Sequence, residues 1–454
     1  MTRSNKIEDK DNNRWLSLFI SPVILKGRIM KKLVPLSLFL LMIATTKADI
    51  LQQADSYKTY SQQLDAIPRN EGCYKAVEIF TNKNVIAILC LCDLDRGYEM
   101  RLFCFDGNSW SSSRKPWKPP IQEWHFITVS NILQVYSINN SAEEAVISFY
   151  PLDETNKLSE TPSKVLSFKT NEKYFPNETH RNYLRVVAID PNELFIIGNY
   201  TEFRLNPISF LSAVLSGGHG LTSDRLFGMR VRDNTILGQY NIPEWIENND
   251  YAVLKSVIVT SQNIFIGWLK GRQYALIEPS KFMCAQYDLT ENRWEKPMEL
   301  FRKNVDGSDG PFLAIDGNNV LHSVWSYVKF HNTKQTTIYE GSGVFYRSGY
   351  KTLTKTQTLS DTANLASKII ADKNGNIHIF MAQENFWGTF SETPDSGLFH
   401  LQPGKIGATL LISEPRMGSF DVAVSDNNDI HVVLVKATEK PRNAVLEYVK
   451  IVKQ

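Results

Sequence analysis

Apolar and polar positions alternate along this chain in short runs rich in β-branched and aromatic residues, and Asn, Asp and Gly separate the runs. Long stretches with helical spacing are missing. Strict alternation bounded by turn residues is the signature of strands joined in hairpins, so the pattern predicts an all-β protein.

The runs also repeat, and the repeat predicts the architecture. A strand, a tight polar turn and a second strand recur as LAIDGNNVLHSVW at 313–325, IADKNGNIHIFMA at 370–382 and VAVSDNNDIHVVL at 422–434. Weaker copies lie at 187–198, 257–268, 127–137 and 77–89. One equivalent position in each copy gives Ile86, Gln134, Phe195, Phe265, His322, His378 and His431, at steps of 48, 61, 70, 57, 56 and 53 residues. A second hairpin follows each of the first six copies, and only one strand, 444–452, follows the seventh. Two hairpins make a four-stranded antiparallel blade, and seven blades close a ring. The expected fold is therefore a seven-bladed β-propeller. Its ring is closed by an N-terminal strand around Tyr57–Leu64 that pairs in the C-terminal blade and removes an exposed edge.

The N-terminus changes this picture. Met30-Lys31-Lys32 precedes an apolar run from Leu33 to Thr45 and a small residue, Ala48. That order matches a secretory signal peptide, and the run is too short to span a bilayer. The expected organisation is a doubtful extension at 1–29, a signal peptide at 30–48 and one propeller domain at 49–454. A secreted or periplasmic location follows, without membrane insertion of the mature chain. Residues 1–48 carry nine Lys/Arg and three Asp/Glu, a net +6, so the remainder of a +2 chain is 2 − 6 = −4. A mature chain without basic excess argues against nucleic acid as a partner.

The chain has five cysteines, Cys73, Cys90, Cys92, Cys104 and Cys284. Their spacing is not that of a zinc site. If 81–84 forms the hairpin turn, Cys73 falls opposite Cys92, which makes these two a disulfide candidate in an oxidising compartment. Cys284 is then expected buried and free.

The turn residues Asp316, Asp372 and Asp426 are expected to shape hairpins rather than bind calcium, because they lie in different blades. His322, His378 and His431 occupy equivalent places in adjacent blades and cannot converge on one metal. They are expected to pack between blades with a ring nitrogen hydrogen-bonded. Trp110 and Trp294 are expected to wedge between blades. No cofactor and no metal site are expected.

The unit apolar-Ala-x-Asp-x-Asn-Gly-x-x-His resembles the sialidase-type, BNR-repeat-like propeller superfamily. So does the following apolar-Phe-Tyr-Arg-Ser stretch. The resemblance is carried by Leu313–Trp325, Val344–Ser348, Thr358–Ser360 and Ile370–Met381, and the intact Asp-box, Ser-x-Asp-x-Gly-x-Thr-Trp, is missing. Sialidases imply an arginine triad. Arg185 and Arg416 sit near first-strand starts in blades three and seven, but Asp309 and Gly310 stand at the matching place in blade five.

Loops between the second and third strands open on the same face and are aromatic, which suits stacking of sugar rings. Arg185, Glu202, Trp268, Arg272, Tyr327, His331, Trp387 and Arg416 are the candidate ligand-binding residues. Tyr327, His331 and Arg272 are of types that could serve a lyase. No Ser-His-Asp order or phosphate-cradling glycine loop is present. The expectation is a monomeric binding module for an extracellular or cell-surface glycan. A carbohydrate-active enzyme, lyase or hydrolase, is the first alternative, and a protein-interaction platform the second. A lectin predicts mouth aromatics without convergent ionisable groups. An enzyme predicts a deep central pocket with two carboxylates, or a Tyr or His with an Arg, in reach of one another.

Overall fold

The computed structural model describes residues 57–453. Excepted are 69–70, 83–84, 96, 118–121, 130–131, 141–143, 170–183, 204–221, 234, 243–249, 273–279, 304–306, 333–336, 351, 361–365, 383–396, 405–407, 415–416 and 438–442. The extension and signal peptide expected at 1–48 lie outside the described residues.

Strand β1 (Tyr57–Ile67) comes first and belongs to the last blade. Blade one is β2 (Gly72–Asn82), β3 (Val85–Leu94), β4 (Gly97–Phe105) and β5 (Trp110–Trp117). Blade two is β6 (Gln122–Val129), β7 (Ile132–Asn140), β8 (Glu144–Pro151) and β9 (Lys164–Lys169). Blade three is β10 (Leu184–Ala188), β11 (Glu193–Phe203), β12 (Thr222–Arg232) and β13 (Thr235–Asn241). Blade four is β14 (Asp250–Val259), β15 (Asn263–Arg272) and β16 (Ser280–Asp288), with its outer position split between β17 (Arg293–Trp294) and β18 (Met298–Lys303). Blade five is β19 (Gly307–Ile315), β20 (Leu321–Asn332), β21 (Thr337–Ser348) and β22 (Gln357–Ser360). Blade six is β23 (Ala366–Ala371), β24 (Ile377–Ala382), β25 (Gly397–Leu401) and β26 (Thr409–Ser413). Blade seven is β27 (Met417–Val424), β28 (Ile430–Ala437) and β29 (Ala444–Lys453), completed by β1.

The ring is closed as the repeat predicts. Strand β1 runs antiparallel to β29 from Tyr57 opposite Lys453 to Ile67 opposite Ala444. The first strands of the blades touch in order, β2, β6, β10, β14, β19, β23, β27 and back to β2. They line the centre. Burial explains the sequence pattern, because a blade's second strand is covered on both faces. In β24 all six residues of IHIFMA are buried. The apolar core accordingly falls into seven clusters, one for each blade boundary.

The repeat residues do structural work. Asp316 Oδ1 accepts from the backbone N–H of Asn318 and Val320, at 2.8 and 2.9 Å. Asp372 does the same for Asn374 and Asn376. Asn319 and Asn428 hold the left-handed turn conformation, with φ of 59° and 62°. The histidines are buried with a ring nitrogen hydrogen-bonded, as expected, but the partners lie within each histidine's own blade: His322 meets Tyr346 and Asp316, His378 meets His400 and Asp372, and His431 meets Tyr448. Trp294 packs on Phe195 and Tyr287 between blades three and four, and its Nε1 donates to the Tyr240 carbonyl. Trp110 bridges blade one to Tyr448 and Gln62 of blade seven.

The Cys73–Cys92 bridge is a correction. Asn82 lies opposite Val85, and a bulge between Tyr74 and Ala76 shifts the register again. Cys73 therefore faces Asp93, and Tyr74 faces Cys92. A one-residue slip sends a side chain to the opposite face of the sheet. Cys73 is exposed, Cys92 is buried, and all five thiols are free, Cys284 buried among them.

Candidate functional site

A cavity of about 440 Å³ occupies the centre of the ring. Its wall takes residues from all seven first strands, including Glu78, His125, Arg185, Lys255, Phe312, Lys368 and Asp421. Every blade places an ionisable side chain in this region: Glu78 from β2, Glu123 and His125 from β6, Arg185 from β10, Lys255 from β14, Asp309 from β19, Lys368 from β23 and Asp421 from β27.

Strand register puts four of these groups in one layer. His125, Arg185, Lys368 and Asp421 lie opposite Tyr136, Ile197, Phe380 and Val433. Each partner stands two positions beyond the equivalent residue of its repeat, Gln134, Phe195, His378 and His431. Lys255 sits in a bulge between Leu254 and Ser256, and Asp309 borders another that reaches Phe312. Bulges re-aim side chains, which suits residues directed into a cavity.

His125 is the hub of one cluster. Its Nδ1 lies 3.2 Å from Glu78 Oε2, and its Nε2 lies 3.5 Å from Glu123 Oε2. Arg185 Nη1 lies 2.8 Å from His125 Nε2 and 3.2 Å from Glu123. Arginine can only donate, so Nε2 accepts, and the neutral ring carries its proton on Nδ1 and donates it to Glu78. The His125 ring packs beside Tyr136, whose hydroxyl accepts from the Val186 N–H at 3.1 Å. Burial pushes the Tyr136 hydroxyl up, so it stays protonated.

Two further pairs complete the ring. Lys255 Nζ lies 3.0 Å from Asp309 Oδ1, and Lys368 Nζ lies 3.4 Å from Asp421 Oδ1. The Ile79 N–H donates to Asp421 Oδ2 at 3.0 Å. Burial alone would raise the Glu78 and Glu123 carboxyls. The hydrogen bond from His125 and the charge of Arg185 hold Glu78 below the usual carboxylate value, and the charge and hydrogen bond of Arg185 do the same for Glu123. Asp421 holds the Lys368 ammonium above its usual value, against the effect of burial.

Of the residues singled out in the sequence, Arg185 is in this cavity. Trp268 is fully buried in the core between blades three and four, and Tyr327 is buried and stacked on Phe345 between blades four and five. Neither ring lines the central cavity. Both sit on second strands, which are covered on both sides. Glu202, Arg272 and His331 lie on the ends of β11, β15 and β20, and their side chains are outside the described residues. Trp387 and Arg416 fall in segments outside the description. Among the described residues, no group of three His, Cys, Asp or Glu is arranged to hold a metal ion.

The fold and this cavity define a seven-bladed β-propeller with a charged central pocket. No known family model matches the chain, and no curated protein matches it in sequence. Solved structures do. The polysaccharide lyase Uly1 is 10% identical with a TM-score of 0.52, covering 86% of this chain and 99% of its own. An α-L-arabinanase of Penicillium chrysogenum is 11% identical with a TM-score of 0.42, covering 86% and 98%. An ulvan lyase is 7% identical with a TM-score of 0.48, covering 86% and 95%. At this identity the likeness to Uly1 establishes the fold.

Proposed function

We propose that this protein is an exported propeller that binds a carbohydrate in its central pocket. The observation that carries the reading is the cavity itself. Its volume falls in the range of small-ligand sites. Its wall alternates apolar surface with paired ionic groups, which suits a sugar with apolar ring faces and a hydroxylated rim. The resemblance of residues 310–454 to sialidase-type repeats supports the same reading, as does the glycan chemistry of the polysaccharide lyase that shares the fold. Export rests on the signal-like segment 30–48.

A second reading, a carbohydrate-active enzyme, is supported by the Glu78–His125–Arg185 arrangement. Glu78 fixes the imidazole through Nδ1, and the Nε2 lone pair is held by Arg185, so a ligand that draws the guanidinium to itself frees Nε2. A base so placed can take a proton from a bound sugar, with Glu78 stabilising the imidazolium.

One experiment tests both readings. The purified protein is screened on a broad glycan and polysaccharide array, and the supernatant is analysed by mass spectrometry. Retention of one glycan class without new products supports a binding module. Shortened or unsaturated products, lost in His125→Ala, support an enzyme. Arg185→Met is expected to weaken retention roughly tenfold or more in either case. Silence on every glycan and in every supernatant overturns both.

A further inference from the structure

The ionic groups around the cavity are not evenly mixed. Arg185 of blade three engages Glu123 and His125 of blade two. Lys255 of blade four engages Asp309 of blade five. These two cations sit on neighbouring first strands, and each is drawn to an acid on the side away from the other. Between them the described wall is Val186, Val187, Leu254, Ser256 and Val257 and holds no carboxylate.

The opposite side of the ring is the mirror of this arrangement. Glu78 of blade one engages His125 of blade two, and Asp421 of blade seven engages Lys368 of blade six. Strands β2 and β27 are neighbours, joined by the Ile79 N–H bonded to Asp421. Two carboxylates therefore adjoin where the ring closes, with their partners, His125 and Lys368, on the outer sides. In a seven-fold ring the boundary between blades three and four faces blade seven, which carries Asp421 and adjoins Glu78 of blade one.

We propose that the pocket selects an anionic sugar, a uronate or a sulfate ester, and seats its anionic group between Arg185 and Lys255 with its hydroxyls toward Glu78 and Asp421. This rests on the carbohydrate reading above and specifies its ligand. A guanidinium and an ammonium held by acids on their far sides keep donors free to turn toward an anion at the lumen. Both cations are partly buried, so the attraction is stronger than at a fully exposed surface. Hydroxyls donate to carboxylates, which makes the acidic pole suited to the uncharged rim of the same sugar.

The test compares uronate-bearing, sulfated and neutral oligosaccharides by calorimetry with the purified protein. The expected result is binding of at least one anionic class, weakened as salt is raised, with neutral counterparts roughly ten- to hundredfold weaker. The uronate and sulfate arms identify the source of the charge. Lys255→Gln, with its fold checked by thermal unfolding, is expected to lose most of that preference while still binding the sugar. Equal or tighter binding of neutral sugars, insensitive to salt, overturns this inference and leaves the carbohydrate reading standing. Failure of every sugar overturns both. The salt and panel measurements use the unaltered chain, so a poorly folding variant does not blunt the test.

Discussion

His431 stands where two sister blades place a histidine over an aspartate. Six residues before His322 and His378 lie Asp316 and Asp372, and each carboxylate meets the Nε2 of its ring. Six residues before His431 lies Ser425, whose hydroxyl donates to the Asp429 carbonyl instead. Burial, with Lys450 nearby, lowers the His431 value from 6.5 to about 4 against the pull of Asp429. A histidine that is harder to protonate when folded contributes stability that is complete above pH 6.5 and is lost as pH falls toward 4. By linkage the loss is about 2 kcal/mol at pH 5. Urea unfolding at pH 8 and pH 5 is expected to show it. Ser425→Asp, which restores the carboxylate of the sister blades, is expected to recover part of it. If the pH dependence of that variant matches the parent, His431 is not the source. These turn residues were legible in the sequence because turn geometry restricts residue choice. The cavity residues were not. Lys255 in VLKSVIV and Lys368 in ASKIIA are single charges in apolar strands, and a single charge in such a strand gives no sign of whether it faces a neighbouring blade or the lumen. Arg185 was found from its place at a first-strand start; the other cavity groups had the same kind of position but no distinguishing neighbour.

Strand β1 shows what an element adds beyond its residues. Its outer face is exposed, yet Ile67 at its end is 2% exposed and packs in the core between blades seven and one. Ile67→Ala is expected to cost about 2–5 kcal/mol, read as a lower urea midpoint with an unchanged slope. A changed slope would mean that the pairing with β29 opens separately from the rest. The need for this strand followed from counting, since six blades had four strands and the seventh had three. Register was harder to read. The turn pairs Asn82 with Val85, which alone would set Cys73 opposite Leu94, and the bulge between Tyr74 and Ala76, which no turn residue marks, brings it back by one position to Asp93. The split outer strand of blade four, β17 and β18, was hidden for a similar reason, because Lys296-Pro297 breaks the pairing within a continuous polar stretch.

At the scale of the whole molecule, stability comes from seven apolar boundaries and a paired edge, without a covalent staple. Five free thiols are expected on titration of the denatured protein with a thiol reagent, and the thermal midpoint is expected to be the same with and without reductant. A count of three, or a midpoint that falls on reduction, would restore a disulfide. Four thiols are buried, and burial raises those of Cys92 and Cys104 to about 12, so in the native state only Cys73 is expected to react quickly. The ring was legible because its period is written in every blade. The cavity is a property of closure, made by seven strands between residues 72 and 424 that no local window contains together.

The pairing of Tyr57 with Lys453 makes the fold indifferent to where the polypeptide is cut. Those two residues are opposite partners in an antiparallel ladder, about 5 Å apart, the separation a two-residue hairpin spans. An Asn-Gly link from Lys453 to Tyr57 would turn β29 and β1 into an ordinary hairpin. New ends could then be opened between any two blades. Such a circular permutant should keep the same blades and the same pocket, with its break at a different spoke of the wheel.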